Sequence, residues 1–220
     1  ASEEINITSK EDNVEVGNLF APSIEVTASN EKDKEVSRTV LSGWNIKATA
    51  PDGNITLAAE NGTIDVQGNL IVVDDEAKAG SISLTTGAES AKGTVLIGNE
   101  GMKNTVSAKT ITVDAPKSVT LNNAKIETEE NLLLTSAETQ ITGSILTTTG
   151  GNLTVTSTGT DITVDKSSIT GNSVAINGKG IQVGQAEMEN NNSTITATDK
   201  GISIISTSDG KDVTLTNTTL

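Results

Sequence analysis

Carboxylates offer this chain most of its scope for chemistry. Asp161 and Asp165 stand four residues apart across Ile162-Thr163-Val164. Paired carboxylates in a groove can act as general acid and base on a polysaccharide, given a basic residue or aromatics to hold the sugar. The strand-like spacing instead predicts both at strand edges facing water. There is no histidine and no cysteine, and the one arginine, Arg38, lies in a charged run. The expectation is a non-enzyme with no catalytic residues.

Asp74-Asp75-Glu76 and Glu129-Glu130 are the acidic groups that bear on calcium. Neither matches an EF-hand loop or the glycine-aspartate nonapeptide of calcium-binding rolls. Without cysteine, thiolate metal sites and disulfides are excluded. No metal and no cofactor is expected. Asn-x-Ser/Thr triplets begin at Asn6, Asn54, Asn61, Asn152, Asn191, Asn192 and Asn217, candidate glycosylation acceptors in a chain rich in Asn and Thr. By position, Asn61 and the Asn190–Asn192 turn are expected to be the most exposed. Thr112, Thr154 and Thr196 fall at an outward position, as in the flat threonine arrays of ice-binding solenoids, but Leu133 and Ala175 interrupt the column. Threonine is also an ordinary exposed strand residue.

The elements that must carry these residues show a repeat. Ile111-Thr112-Val113, Leu132-Leu133-Leu134, Leu153-Thr154-Val155, Val174-Ala175-Ile176 and Ile195-Thr196-Ala197 begin 21 residues apart each time. A second series, Val119, Ile141, Ile162, Ile181 and Ile202, follows at steps of 22, 21, 19 and 21. A third apolar position is less regular: Ile126, Ile145-Leu146, Ile169 and Met188. Within each fragment the first and third residues face one way and the middle one faces the other. One coil cannot bury such a face, whereas stacked coils bury it in columns. Apolar residues at i and i+2 fall on different faces of a helix, so helices are excluded. The predicted fold is all-β, a right-handed parallel β-helix with about three strands and about 21 residues per coil.

Composition agrees. Aromatics make up 1% of the chain, Phe20 and Trp44, so a sandwich core is not available, while Ile, Val, Leu and Ala suffice for a narrow lumen. With 15 basic against 29 acidic residues, net −14, neither nucleic acid nor an anionic membrane surface suits as partner. No stretch is apolar enough to span a membrane, and no secretory h-region occurs. All 220 residues are expected to form one solenoid domain, with uncapped ends like those of a fragment cut from a longer repeat protein.

Along the chain, Ile5-Asn6-Ile7, Val14-Glu15-Val16 and Ile24-Glu25-Val26 hold the alternation loosely. It lapses at about 28–42, predicted to be an extruded charged loop. Glu31, Lys32, Asp33, Lys34, Glu35 and Arg38 in that loop are the candidate partner contacts, since function in repeat scaffolds gathers on insertions. Pro51-Asp52-Gly53-Asn54 and Asn61-Gly62 are turns, and Ala115-Pro116 is expected to end one strand before Val119 begins the next.

The run Gly151-Asn-Leu-Thr-Val-Thr-Ser-Thr-Gly159, with Asp161-Ile-Thr-Val164 and Ser173-Val-Ala-Ile176, resembles the repeats of filamentous-haemagglutinin-like exoproteins. These include the high-molecular-weight adhesins of Gram-negative two-partner secretion. The resemblance covers most of the chain from Asn54 onward, and autotransporter passengers use the same repeat grammar. The secretion-domain signature around Asn-Pro-Asn-Gly is absent, since the chain has no Asn-Pro. The resemblance implies an internal shaft segment of an extracellular, surface-attached adhesin. Its partners would be a receptor or glycan on a host or neighbouring cell, and an outer-membrane transporter reached through a part of the protein not in this chain. Glycosylation of some members adds interest to the sequons. Competing readings are an autotransporter stalk with no ligand, an ice-binding solenoid and a β-helical polysaccharide enzyme.

Overall fold

The computed structural model describes residues 3–29, 39–75, 77–87, 92–184, 192–208, 212–216 and 218–220. Parallel strands stack in a β-solenoid of about 8 turns, about 24 residues apart, with no helix among the described residues. The alternation read from the sequence produces this directly, because the strands of the middle coils bury every second side chain. Three faces wrap one continuous apolar core.

The first face carries the column Ile5, Ile24, Ile55, Ile82, Ile111, Leu132, Leu153, Val174 and Ile202, each paired in parallel with the next. The second runs Val14, Val40, Ile64, Val95, Val119, Thr139, Ile162, Ile181 and Val213. The third holds Ile46, Leu70, Val106, Ile126, Leu146, Ile169 and Ile195 among its members. Most of these side chains are fully buried, and each contributes about 1.5–3 kcal/mol by leaving water.

The 21-residue step is real but local. It joins Ile111, Leu132, Leu153 and Val174, and the next partner of Val174 is Ile202. Ile195 stacks on Ile169 of the third face, and Thr196 goes with it. The second series is also corrected. Val119 pairs with Thr139, Ile141 stands two residues on beside Leu121 and Val164, and Val213 follows Ile181. Coils are therefore longer and fewer than a uniform 21 would make them. Corner segments vary in length while the strands between them keep alternating, so a constant step drifts out of register. Ile145 points outward at 45% exposure, leaving Leu146 as the inward residue, and Met188 lies outside the described residues.

Thr39–Ser42 is a strand of the second face, paired with Val14–Val16 and Thr63–Val66. The expected loop at 28–42 is thus shortened at its C-terminal side, and its charged run, 30–38, lies outside the described residues. Pro116 does not end a strand. Thr110–Asn122 passes through it with a register shift between Ala115 and Ser118, which turns the chain from the first face to the second.

The corners are built from small residues. The last inward position of the first face is Ala28, Ala59, Thr86, Ala115, Ser136, Ser157 or Gly178 in successive coils, all buried. A Cβ on Gly178 would stand 3.0 Å from Ile162. At the corner between second and third faces a buried serine ladder replaces apolar packing. The Ala124 N–H donates to Ser144 Oγ at 3.1 Å, and the Ser144 N–H to Ser167 Oγ at 3.1 Å. Ser167 Oγ in turn donates to the Asp165 carbonyl at 2.6 Å. These hydroxyls satisfy backbone groups that the turn removes from the sheet ladder. Among the described residues no helix is long and apolar enough to cross a membrane.

Candidate functional site

The residues singled out for chemistry do not converge. Asp161 and Asp165 sit at opposite ends of the strand Ile162–Asp165. Asp161 is half-buried, whereas Asp165, expected to face water, is 5% exposed with Oδ1 lacking a hydrogen-bond partner. Lys166, the next residue, takes a left-handed turn conformation, φ 50°. Asp74 ends a strand, Asp75 occupies a left-handed turn at φ 42°, and Glu76 lies outside the described residues. Glu130 pairs with Lys109 at 3.1 Å. Among the described residues no three carboxylates approach one another closely enough to hold a metal ion.

The candidate glycosylation sites divide. Asn6, Asn54, Asn152 and Asn192 are exposed. Asn54 and Asn152 accept hydrogen bonds from Ser81 and Ser173 of the next coil, each at 2.7 Å. Asn61, expected among the most exposed, is 2% exposed and takes the left-handed conformation of its turn, φ 53°. Its side chain is turned into the corner rather than offered to solvent. Asn191 and Asn217 lie outside the described residues, as do Glu31, Lys32, Asp33, Lys34, Glu35 and Arg38. The threonine array is broken as its sequence indicates: Thr112, Leu133, Thr154, Ala175 and Ser203 follow one another on the first face.

A concave feature that the spacing of motifs did not disclose lies at the corner between second and third faces. Gly43-Trp44-Asn45, Gln67-Gly68-Asn69 and Met102-Lys103-Asn104 occupy this corner in successive coils and enclose a recess of about 280 Å³. In the third of these coils the corner is extended by a short hairpin, closed by a bridge between Asn99 and Met102. Asn99 Oδ1 accepts from the N–H groups of Gly101 and Met102, at 2.9 and 3.0 Å, and holds the hairpin out from the wall. Trp44 is 65% and Met102 56% exposed.

An amide ladder supports the recess from behind. The Asn45 N–H donates to Asn18 Oδ1 at 3.1 Å, Asn69 Nδ2 to Asn45 Oδ1 at 2.7 Å, and the Thr105 N–H to Asn69 Oδ1 at 2.7 Å. Asn104 is buried and donates to the Val66 and Gly68 carbonyls at 3.0 and 3.2 Å. Gly68 has to be glycine for steric reasons, since a Cβ there would run into the Trp44 backbone. The signal in the sequence was the lone tryptophan in a Gly-Trp-Asn corner. That it lines one recess with Met102, 58 residues on, depends on coil stacking.

No protein-family model matches this chain, and neither the curated proteins nor the solved structures contain a match to it.

Proposed function

We propose that this chain is a structural shaft and display segment of a secreted bacterial surface adhesin, mediating attachment to cells or surfaces. The observation that carries the reading is the continuous parallel register of the first face from Ile5 to Ile202. Strand-to-strand hydrogen bonds run along the solenoid axis, so stacking of coils makes a stiff rod that extends by about 4.8 Å per coil. Such a rod suits carrying a binding surface away from a cell. Its corners accept insertions without loss of register, as the Asn99–Met102 hairpin does. The resemblance of the Gly151–Ile176 repeats to filamentous-haemagglutinin-like exoproteins supports the extracellular setting and export through an outer-membrane transporter engaged elsewhere in the protein.

Attachment is tested with the purified chain coupled to latex beads, scored on epithelial monolayers, bacterial lawns and bare polystyrene against albumin-coated beads. Retention several-fold above the control on one of these surfaces is expected. Retention equal to the control on all of them would overturn attachment by this segment and leave the stalk reading. Antibody labelling of intact source cells tests the location, and labelling only after permeabilisation would overturn it.

A further inference from the structure

Indole is among the largest apolar groups available for a core, yet this chain's only tryptophan stands outside its core. Its companion in the recess, Met102, is also exposed, although methionine usually fills gaps in an interior. Two large soft side chains are thus held in water on a corner otherwise lined by amides, glycines and one lysine.

The polar groups around them are prepared for a ligand. Asn45 lines the recess and uses its Oδ1 on Asn69, which leaves its Nδ2 as the donor end of the amide for a ligand. Gln67 Nε2 donates to Asp65 Oδ2 at 2.9 Å, which fixes the amide and leaves Oε1 open as an acceptor. Lys103 adds an exposed ammonium. Among the described residues no carboxylate lines this recess. An apolar platform bordered by a fixed donor, a fixed acceptor and a cation matches a ring with one apolar face and polar substituents round its edge. A pyranose has that shape, with axial C–H groups on its face and hydroxyls at its rim.

Other occupants fit less well. A peptide strand would need free backbone groups at the wall, but the Asn45, Gln67, Gly68 and Thr105 N–H groups already donate to Asn18, Ser42, Ser42 and Asn69. Single-stranded nucleic acid would need a basic track beside the aromatic, and among the described residues one lysine lines the recess. The volume, about 280 Å³, falls just below the roughly 300 Å³ at which drug-sized small-molecule sites begin, so the recess takes no more than a small group such as one ring.

We infer that this corner is a carbohydrate subsite. One pyranose ring stacks on Trp44 against Met102, and its hydroxyls are held by Asn45 Nδ2, Gln67 Oε1 and Lys103. The subsite is independent of the attachment reading, because sugar binding by the purified chain and adhesion of coated beads are separate measurements.

Trp44 is the sole tryptophan, so its fluorescence reports this recess alone. The intact chain is titrated with short chito-, malto- and galacturonate oligosaccharides and screened on a broad glycan array. A saturable change in emission with at least one of these sugars is expected, together with retention of that sugar on the array. Trp44→Ala should weaken array binding at least about tenfold and Met102→Ala less, while Trp44→Phe keeps most of it. Phe20→Ala, which removes the other exposed aromatic, should leave binding unchanged. Circular dichroism of each variant shows whether the solenoid is intact, and Trp44, being mostly exposed, is replaceable without loss of core. Absence of saturable binding to every sugar, or binding that survives Trp44→Ala unchanged, overturns the subsite. Adhesion of wild-type beads with no sugar binding would overturn it while leaving attachment standing.

Discussion

Gly68 lies directly against the main chain of Trp44, one coil away, so closely that a methyl group on residue 68 would overlap the Trp44 carbonyl. This approach brings the tryptophan corner and the amide corner together. Gly68→Ala should therefore destabilise the solenoid by about 1–3 kcal/mol, since the neighbour to be displaced is backbone. Gly43→Ala, one residue before Trp44 and with open space around it, should change stability by no more than about 0.5 kcal/mol. Urea melts of the two variants make the comparison, and equal losses would contradict the packing described.

Leu153 and Thr154 test the phase of the first face. Leu153 is fully buried between Leu132 and Val174, whereas Thr154 points outward. Leu153→Asp should cost several kcal/mol, because it places a carboxylate in the lumen without a partner. Thr154→Lys should cost under about 1 kcal/mol. Thermal melts followed by circular dichroism would show the difference, and similar losses would mean that the face is inverted.

Ser167 stands at the centre of the serine ladder, accepting from the Ser144 N–H and donating to the Asp165 carbonyl. Ser167→Ala leaves a buried N–H without its acceptor and should cost about 1–3 kcal/mol. Ser203→Ala, on the exposed wall, should be neutral to within about 0.5 kcal/mol. Amide hydrogen exchange at Ser144 should accelerate in the first variant and not in the second.

Ala59 holds the small inward position at the end of the first face, paired with Ala28 and Thr86. Ala59→Leu should destabilise by about 1–3 kcal/mol through overpacking of the corner. Leu57→Ile, at the wide part of the lumen two residues earlier, should cost less than about 1.5 kcal/mol because volume is kept. Denaturant midpoints at constant slope provide the measurement.

Much of this architecture is written in consecutive residues. Apolar-polar-apolar triplets such as Leu153-Thr154-Val155 state which side chains turn inward, because alternation is a local property of an extended chain. Coils of equal total length, 21 residues each from Ile111 to Val174, made the vertical neighbours of the first face legible there as well. Elsewhere only the tertiary structure decided them. Ile195 repeats the 21-residue step yet stacks on Ile169 of the third face, and no residue of the triplet records which face it joins. Burial at turns followed the same rule. Asn61 and Asp165 are polar residues at turns, which composition places in water, but both are buried, beside positive φ at Asn61 and Lys166. The recess at Trp44 belongs wholly to this second class. Its tryptophan, amides and methionine are scattered over three coils, and only parallel stacking of Ile46, Leu70 and Val106 beneath them brings the corners into line.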